Sequence, residues 1–207
     1  MTRSLLFAAM LLGTGCALFR PYTPPQTREV VPIHAEDPTS GPATAPLVLV
    51  WFSDFQCPAC AVVAPTIKTL RQEYGDRLHV VFKARPWSIH PDAVLAHRAA
   101  AEANAQGHFW EYEDALYTDI QALKREQLEA KATALGMDLA RMRTALDTPE
   151  YQAHIEQDMA QADGLSIEGT PTFFVNGRRL VGSHSIEVFR ATFDEELAAG
   201  PVAPAAH

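Results

Sequence analysis

Two cysteines, Cys57 and Cys60, have the side chains and the spacing for thiol chemistry. An apolar run, 47–51, precedes them and an amphipathic run, 61–70, follows, so a buried strand should end and a helix begin at the pair. The first turn of a helix offers free backbone N–H groups and a partial positive charge, and both favour a thiolate over a thiol. We therefore predict that Cys57, at the helix N-terminus, is the low-pKa nucleophile. Cys60, one turn later and more shielded, should be the thiol that resolves a mixed disulfide.

The Cys-x-x-Cys spacing alone leaves other chemistries open, because half a zinc site or a structural disulfide uses it too. Zinc would need two more ligands, and the sequence has no second cysteine pair and no closely spaced histidine pair downstream. We assign no role to His90, His97 or His108, which are widely spaced. Context favours redox chemistry, since a strand precedes the pair, a helix follows it, and Gly-Thr-Pro-Thr at 169–172 leads into another apolar strand.

Three segments resemble the DsbA-like branch of the thioredoxin superfamily. They are Phe-Ser-Asp-Phe-Gln-Cys-Pro-Ala-Cys at 52–60, Gly-His-Phe-Trp-Glu-Tyr at 107–112 and Gly-Thr-Pro-Thr-Phe-Phe-Val-Asn-Gly at 169–177. The similarity covers about 46–197, and the motifs follow the order of the family. It implies an α/β thioredoxin fold with an inserted helical subdomain at about 90–165. It also implies a protein thiol-disulfide oxidoreductase that uses a Cys57–Cys60 disulfide and needs neither cofactor nor metal.

The resemblance also assigns roles to prolines. Pro171 is similar to the cis-proline of the family, which faces the cysteine pair, and the backbone of Thr170 is then placed to pair with an extended substrate. A plain proline at the start of a strand is the alternative. Pro58 supports the site but proves no function, because a proline at the first helical position is structurally cheap.

The chain departs from these relatives at two positions. The most oxidising relatives carry histidine directly before the second cysteine, where this chain has Ala59, so Cys57 should be less acidic and its disulfide less oxidising. Relatives also place a buried acid six residues before the first cysteine, where this chain has Trp51. Asp54 is our candidate to replace that acid, with Lys83 on the neighbouring strand as its charge partner. The alternative is that Asp54 is a turn or helix-capping acid.

The N-terminus predicts export. Residues 1–15 read as a signal peptide, because Arg3 precedes an apolar core, 5–12, that is too short to span a bilayer. The small residues before Cys16 resemble a bacterial lipoprotein signal, although Gly13 stands where such signals usually have leucine. Acylation of Cys16 would also remove the odd thiol of an exported protein. Cleavage of an ordinary signal peptide nearby is the alternative.

Proline content divides the remainder of the chain. Seven prolines between 17 and 46 predict an extended tether at 16–45, anchored by lipid, although 30–33 has the character of an edge strand. One domain should cover 46–199, with a tail at 200–207. Strands at 47–51 and 78–84 should be parallel around the first helix. Further helices are predicted at 93–104, 109–117, 126–135, 138–146, 150–163 and 185–197, with an Asn-Gly hairpin joining 172–175 to 178–181.

Together these features predict a membrane-anchored, extracytoplasmic oxidoreductase that forms disulfides in exported proteins and is served by an unidentified redox partner. A disulfide reductase or isomerase is the alternative, as is an assembly lipoprotein that binds copper(I) or zinc through Cys57 and Cys60. The net charge of −8 gives no sign of nucleic-acid binding.

Replacing Cys16 with alanine should abolish lipid attachment and release an active domain, because the thiol that carries the acyl group is gone. Metabolic labelling with a fatty acid measures this, and Cys57→Ala, which keeps Cys16, should label like wild type. Equal labelling of wild type and Cys16→Ala, or no label in wild type, contradicts the prediction.

Overall fold

The computed structural model describes residues 27–200, so the signal peptide, Cys16 and the tail beyond 200 lie outside the described residues. No helix within 27–200 has the length and apolar character needed to cross a bilayer. The elements in chain order are β1 (Thr39–Ser40), β2 (Leu47–Ser53), α1 (Pro58–Tyr74), a 3₁₀ turn (Gly75–Arg77), β3 (Leu78–Ala84), α2 (Ala93–Ala105), α3 (Phe109–Thr118), α4 (Arg125–Ala134), α5 (Leu139–Asp147), α6 (Gln152–Gly164), β4 (Thr172–Val175), β5 (Arg178–Val181) and α7 (Ile186–Ala199).

The described strands form one sheet in the order β1-β3-β2-β4-β5. Strands β2 and β3 are parallel, as expected for two strands joined through α1, and the other pairs are antiparallel. Helices α2 to α6 are inserted between β3 and β4. The predicted α/β fold with an inserted helical subdomain is therefore confirmed.

Alternation along β2 separates the two faces of the sheet. Leu49 and Trp51 belong to the larger core cluster, which includes the buried side of α1, whereas Val50 and Phe52 belong to the smaller one with Ala162 of α6. Trp51 is fully buried and stacks on aromatic rings of α3 and β4. The end of β2, where the cysteines follow, is thus held from both sides.

The chain before β2 lies against the β4–β5 hairpin. Glu29 donates its backbone N–H to the Gly177 carbonyl (2.8 Å), and the Arg28 guanidinium bonds the Asn176 carbonyl (2.9 Å) and the Glu196 carboxylate (2.7 Å). Gly177 has a φ of +85°, and a Cβ there would stand 2.7 Å from the Glu29 carbonyl oxygen. Glycine is therefore required for this contact.

The predicted tether at 16–45 is wrong over its described part, 27–45. Val31 is buried in the smaller core cluster, and β1 pairs with the edge of β3. The edge strand expected at 30–33 is instead the two-residue β1. Prolines prevent a long hydrogen-bond ladder here, but they do not prevent single side chains from being buried.

A buried ion cluster joins this segment to the face of the sheet opposite the one that packs against α1. The Lys83 ammonium lies 2.6 Å from Asp37 and 3.1 Å from Asp158 of α6, and all three side chains are at most 1% exposed. The expected pairing of Lys83 with Asp54 is therefore wrong. Lys83 follows Phe82 in β3, so alternation points its side chain away from the face that carries α1.

Lys83→Met should destabilise the domain by about 3–5 kcal/mol, because it keeps the side-chain length but leaves two buried carboxylates without their cation. The free energy of unfolding from urea titration measures this loss. Lys68→Met breaks the exposed pair of Lys68 with Asp114 and should cost clearly less. Equal losses for the two variants would show that the buried cluster does not stabilise the fold.

Candidate active site

Cys57 and Cys60 lie at the start of α1, as predicted. Cys57 is the residue that caps the helix, with extended backbone angles (φ −80°, ψ 122°), and Pro58 occupies the first turn, where its fixed φ suits a helix. Both thiols are free; Cys57 is 8% exposed and Cys60 is fully buried. Only one of the two sulfurs is therefore accessible from outside.

The two thiols differ in acidity. The pKa of Cys57 is lowered to about 5, mainly by a hydrogen bond from the Cys60 side chain. Burial of Cys57 opposes this shift. Hydrogen bonds from the Thr170 hydroxyl and from the Cys60 and Ala59 backbone N–H groups lower the pKa further. Burial raises the pKa of Cys60 well above its ordinary range, and the hydrogen bond and charge of Cys57 raise it further. These shifts favour the thiolate at Cys57 and the protonated thiol at Cys60, which is the order of acidity expected from the sequence.

The structure brings the Gly-Thr-Pro-Thr motif at 169–172 to the cysteine pair, although Thr170 is 113 residues from Cys57 in the chain. The Cys57 sulfur lies 3.4 Å from the Thr170 carbonyl oxygen, and the Thr170–Pro171 peptide bond is cis, as predicted. Pro171 is itself buried at the start of β4. The two residues expected to bind substrate therefore border the accessible sulfur.

Trp87 is a residue of the site that the sequence did not reveal. Its indole Nε1 donates to the Thr170 Oγ1 (3.0 Å). Because an indole N–H can only donate, the Thr170 oxygen accepts this bond and the hydroxyl proton stays free for the Cys57 sulfur. Trp87 thus orients a donor that stabilises the thiolate.

Asp54 is fully buried and its carboxylate accepts three hydrogen bonds. The donors are the Gln56 backbone (2.7 Å), the Trp87 backbone (2.7 Å) and the His90 Nδ1 (2.8 Å). The bond to the residue two positions on is typical of a turn acid, which supports the alternative stated for Asp54. His90, which had no assigned role, joins Asp54 in fixing the loop that carries Trp87.

A pair of hydroxyl groups lies beside Cys60. The Ser53 Oγ and the Tyr117 phenol oxygen are 2.6 Å apart in the buried core, and the Ser53 hydroxyl also forms a hydrogen bond that lowers the pKa of Cys60. No sequence motif marked either residue, because they are 64 positions apart and meet only where Tyr117 of α3 packs against the end of β2.

A second polar cluster, at Asp37, His154 and Asp158, has ligand atoms within 4.8 Å of one another. The Lys83 ammonium, however, already binds both carboxylates and supplies the cation that they need. The donor set therefore does not suit a metal ion.

Comparison with known proteins identifies the fold and the family. The family model Thioredoxin_4, described as thioredoxin, matches residues 34–195. The Na(+)/H(+) antiporter NhaA of Herminiimonas arsenicoxydans is 39% identical over 158 residues, which are 76% of this chain but 25% of that protein. Since the chain spans about a quarter of such relatives, the transport activity in their name is not transferred to it.

Solved structures agree on the architecture. A thioredoxin-like oxidoreductase from Silicibacter pomeroyi DSS-3 superposes with a TM-score of 0.72 at 24% identity, over 80% of this chain and 94% of that one. A periplasmic thioredoxin-like protein from Salmonella enterica serovar Typhimurium has a TM-score of 0.66 at 22% identity, over 79% and 91%. At these identities the likeness establishes the fold alone.

Trp87→Phe should raise the pKa of Cys57 above about 5, because the Thr170 hydroxyl loses the donor that orients it. Thiolate absorbance as a function of pH measures the shift, since the signal falls as pH falls through the pKa. Trp110→Phe is the matched control; its indole donates to the Thr39 carbonyl, away from the cysteines. An unchanged midpoint in Trp87→Phe contradicts the assigned role.

Proposed function

The chain belongs to the Thioredoxin_4 family, the DsbA-like thiol-disulfide oxidoreductases of the thioredoxin superfamily, and we propose that it forms disulfides in exported proteins outside the cytoplasm. The observation that carries the proposed direction is the difference in acidity between Cys57 and Cys60. Whatever stabilises the reduced thiolate makes the corresponding disulfide a stronger oxidant. The redox pair is Cys57-Pro58-Ala59-Cys60.

The strength of the oxidant follows from the surroundings of Cys57. A pKa of about 5 lies between the values of about 3.5 and about 7 that mark strongly oxidising and reducing members of the superfamily. The Ala59 side chain supplies neither charge nor hydrogen bond to the sulfur. The reduction potential should therefore lie between about −120 mV and about −270 mV.

The proposed reaction is two successive thiol–disulfide exchanges. A substrate thiolate attacks the Cys57 sulfur of the Cys57–Cys60 disulfide; the S–S bond breaks and Cys60 leaves with the electron pair and takes up a proton. A second substrate thiolate then attacks the substrate sulfur of the mixed disulfide, and Cys57 leaves as a thiolate. The low pKa of Cys57 makes it a good leaving group, and the raised pKa of Cys60 favours its protonated form.

Substrate binding is proposed at Thr170 and Pro171. Pro171 has no N–H, and the Thr170 carbonyl lies 3.4 Å from the Cys57 sulfur. An extended peptide paired with the Thr170 backbone would therefore bring its cysteine to Cys57, in the strand-addition mode of recognition. The substrates are exported proteins with thiols or disulfides, and a membrane or soluble redox partner restores the Cys57–Cys60 disulfide.

Export and anchoring are proposed from the N-terminus. The signal peptide and the acylation at Cys16 would place the domain on the extracytoplasmic side of a membrane, where disulfides persist. The periplasmic assignment of the Salmonella protein, which has the same fold, is consistent with this.

The metal-binding alternative is less well supported by the site. A metal held by Cys57 and Cys60 requires both thiols to lose their protons, and burial makes this costly for Cys60. A reductase or isomerase would use the same residues in the opposite direction, so the reduction potential distinguishes it from an oxidase.

The reduction potential, measured by equilibration with glutathione buffers, should fall within the window given above. Ala59→His should raise it, because an added histidine beside Cys57 favours the thiolate. A potential at or below about −270 mV would favour a reductase, and no rise in Ala59→His would contradict our account of Cys57.

A further inference from the structure

Cys60 is the sulfur of the pair on which the site disfavours negative charge. It is fully buried, and burial holds its thiol in the protonated form. When Cys60 closes the Cys57–Cys60 disulfide, however, its S–H bond must break as its sulfur attacks. A group that stabilises negative charge on this sulfur is therefore needed.

The two positions from which an acid was expected do not supply that group. Trp51 occupies the position six residues before Cys57, and its indole lies in an aromatic stack. The Asp54 carboxylate is occupied by the Gln56 and Trp87 backbones and by His90. Side-chain stabilisation of the Cys60 thiolate comes instead from the Ser53 hydroxyl.

The Tyr117 phenol determines how that hydroxyl points. Burial raises the pKa of Tyr117 well above its ordinary value, and negative charge on Cys60 raises it further, so the phenol keeps its proton throughout the reaction. The Ser53 and Tyr117 oxygens are 2.6 Å apart, and a serine hydroxyl has one proton. When that proton points to the Cys60 sulfur, the Ser53 oxygen accepts the hydrogen bond from the protonated phenol. The Tyr117 ring packs against the rings of Trp51 and Phe55, with centroid separations of 5.8 Å and 5.1 Å, and this packing fixes the position of the phenol.

We propose that Ser53 is a catalytic residue that donates a hydrogen bond to Cys60 as it attacks a mixed disulfide, and that Tyr117 is the positioning residue that orients Ser53. In this step the S–S bond between Cys57 and the bound thiol breaks, and the Cys57–Cys60 bond forms. The bound sulfur leaves with the electron pair. The proton that Cys60 loses ends on that leaving thiolate, so no further oxidant or base is required.

The arrangement repeats at the other sulfur. Thr170 serves Cys57 as Ser53 serves Cys60, and each hydroxyl has a second partner, the donor-only Trp87 indole for Thr170 and the protonated Tyr117 phenol for Ser53. Each sulfur of the pair thus has its own oriented hydroxyl donor.

The proposal rests on the proposed function of Cys57 and Cys60. A two-phase experiment distinguishes failure of the proposal from failure of that function. Reduced protein is mixed with excess oxidised glutathione, quenched with acid and analysed by mass spectrometry. The first phase forms a mixed disulfide at Cys57 with release of one glutathione thiolate. The second closes the Cys57–Cys60 disulfide and releases glutathione.

Tyr117→Phe and Ser53→Ala should each slow the second phase on the order of tenfold or more, because a hydrogen bond to a charged sulfur is lost, while the first phase stays unchanged. Ser53→Thr, which keeps a hydroxyl, should close faster than Ser53→Ala. Tyr112→Phe is the matched control; this tyrosine is also buried in α3, but its hydroxyl donates to the Leu128 carbonyl.

A second phase at the wild-type rate in Tyr117→Phe or Ser53→Ala overturns the proposal, as does equal slowing in Tyr112→Phe. Absence of any mixed disulfide in the wild-type protein would instead overturn the proposed function of Cys57.

Discussion

The site depends on one hydrogen bond, from the Cys60 side chain to the Cys57 sulfur. It makes the largest contribution to the low pKa of Cys57, and the same contact raises the pKa of Cys60. Two sulfurs that share one proton in this way cannot be equivalent: one becomes a stable thiolate and the other a retained thiol. Capping of α1 by Cys57, burial of Cys60 and the approach of β4 all support this inequality, and the chemistry follows from it.

Local signals in the sequence predicted most of the fold. The limits of β3 and of both hairpin strands agree with the prediction to the residue, because continuous apolar runs and an Asn-Gly turn define them locally. The two cysteines were placed correctly for the same reason, since Pro58 and the apolar run before it mark a strand-to-helix junction. Helix limits in the insertion differ by one or two residues, as expected for the ends of helices.

The parts that the sequence did not predict depend on tertiary packing. Ser53 meets Tyr117 where α3 lies against the end of β2, and Trp87 meets Thr170 where the segment after β3 lies beside the segment before β4. Nothing in the spacing of these residues indicates contact. Lys83 was assigned to the wrong acid because its strand neighbours suggested proximity, whereas alternation sends its side chain to the other face. The chain before β2 was misjudged because proline content reports on hydrogen bonding and not on whether a side chain is buried.

The contact of Arg28 and Glu29 with the β4–β5 hairpin has a directional consequence. That hairpin turns beside Val48, at the beginning of β2, whereas Cys57 follows the end of the same strand. A seven-residue strand spans about 20 Å, so the described chain enters the domain at the pole opposite the reactive sulfur. The entering chain and the reactive sulfur thus occupy opposite ends of β2, so the segment 27–30 leaves the surroundings of Cys57 open to an approaching protein.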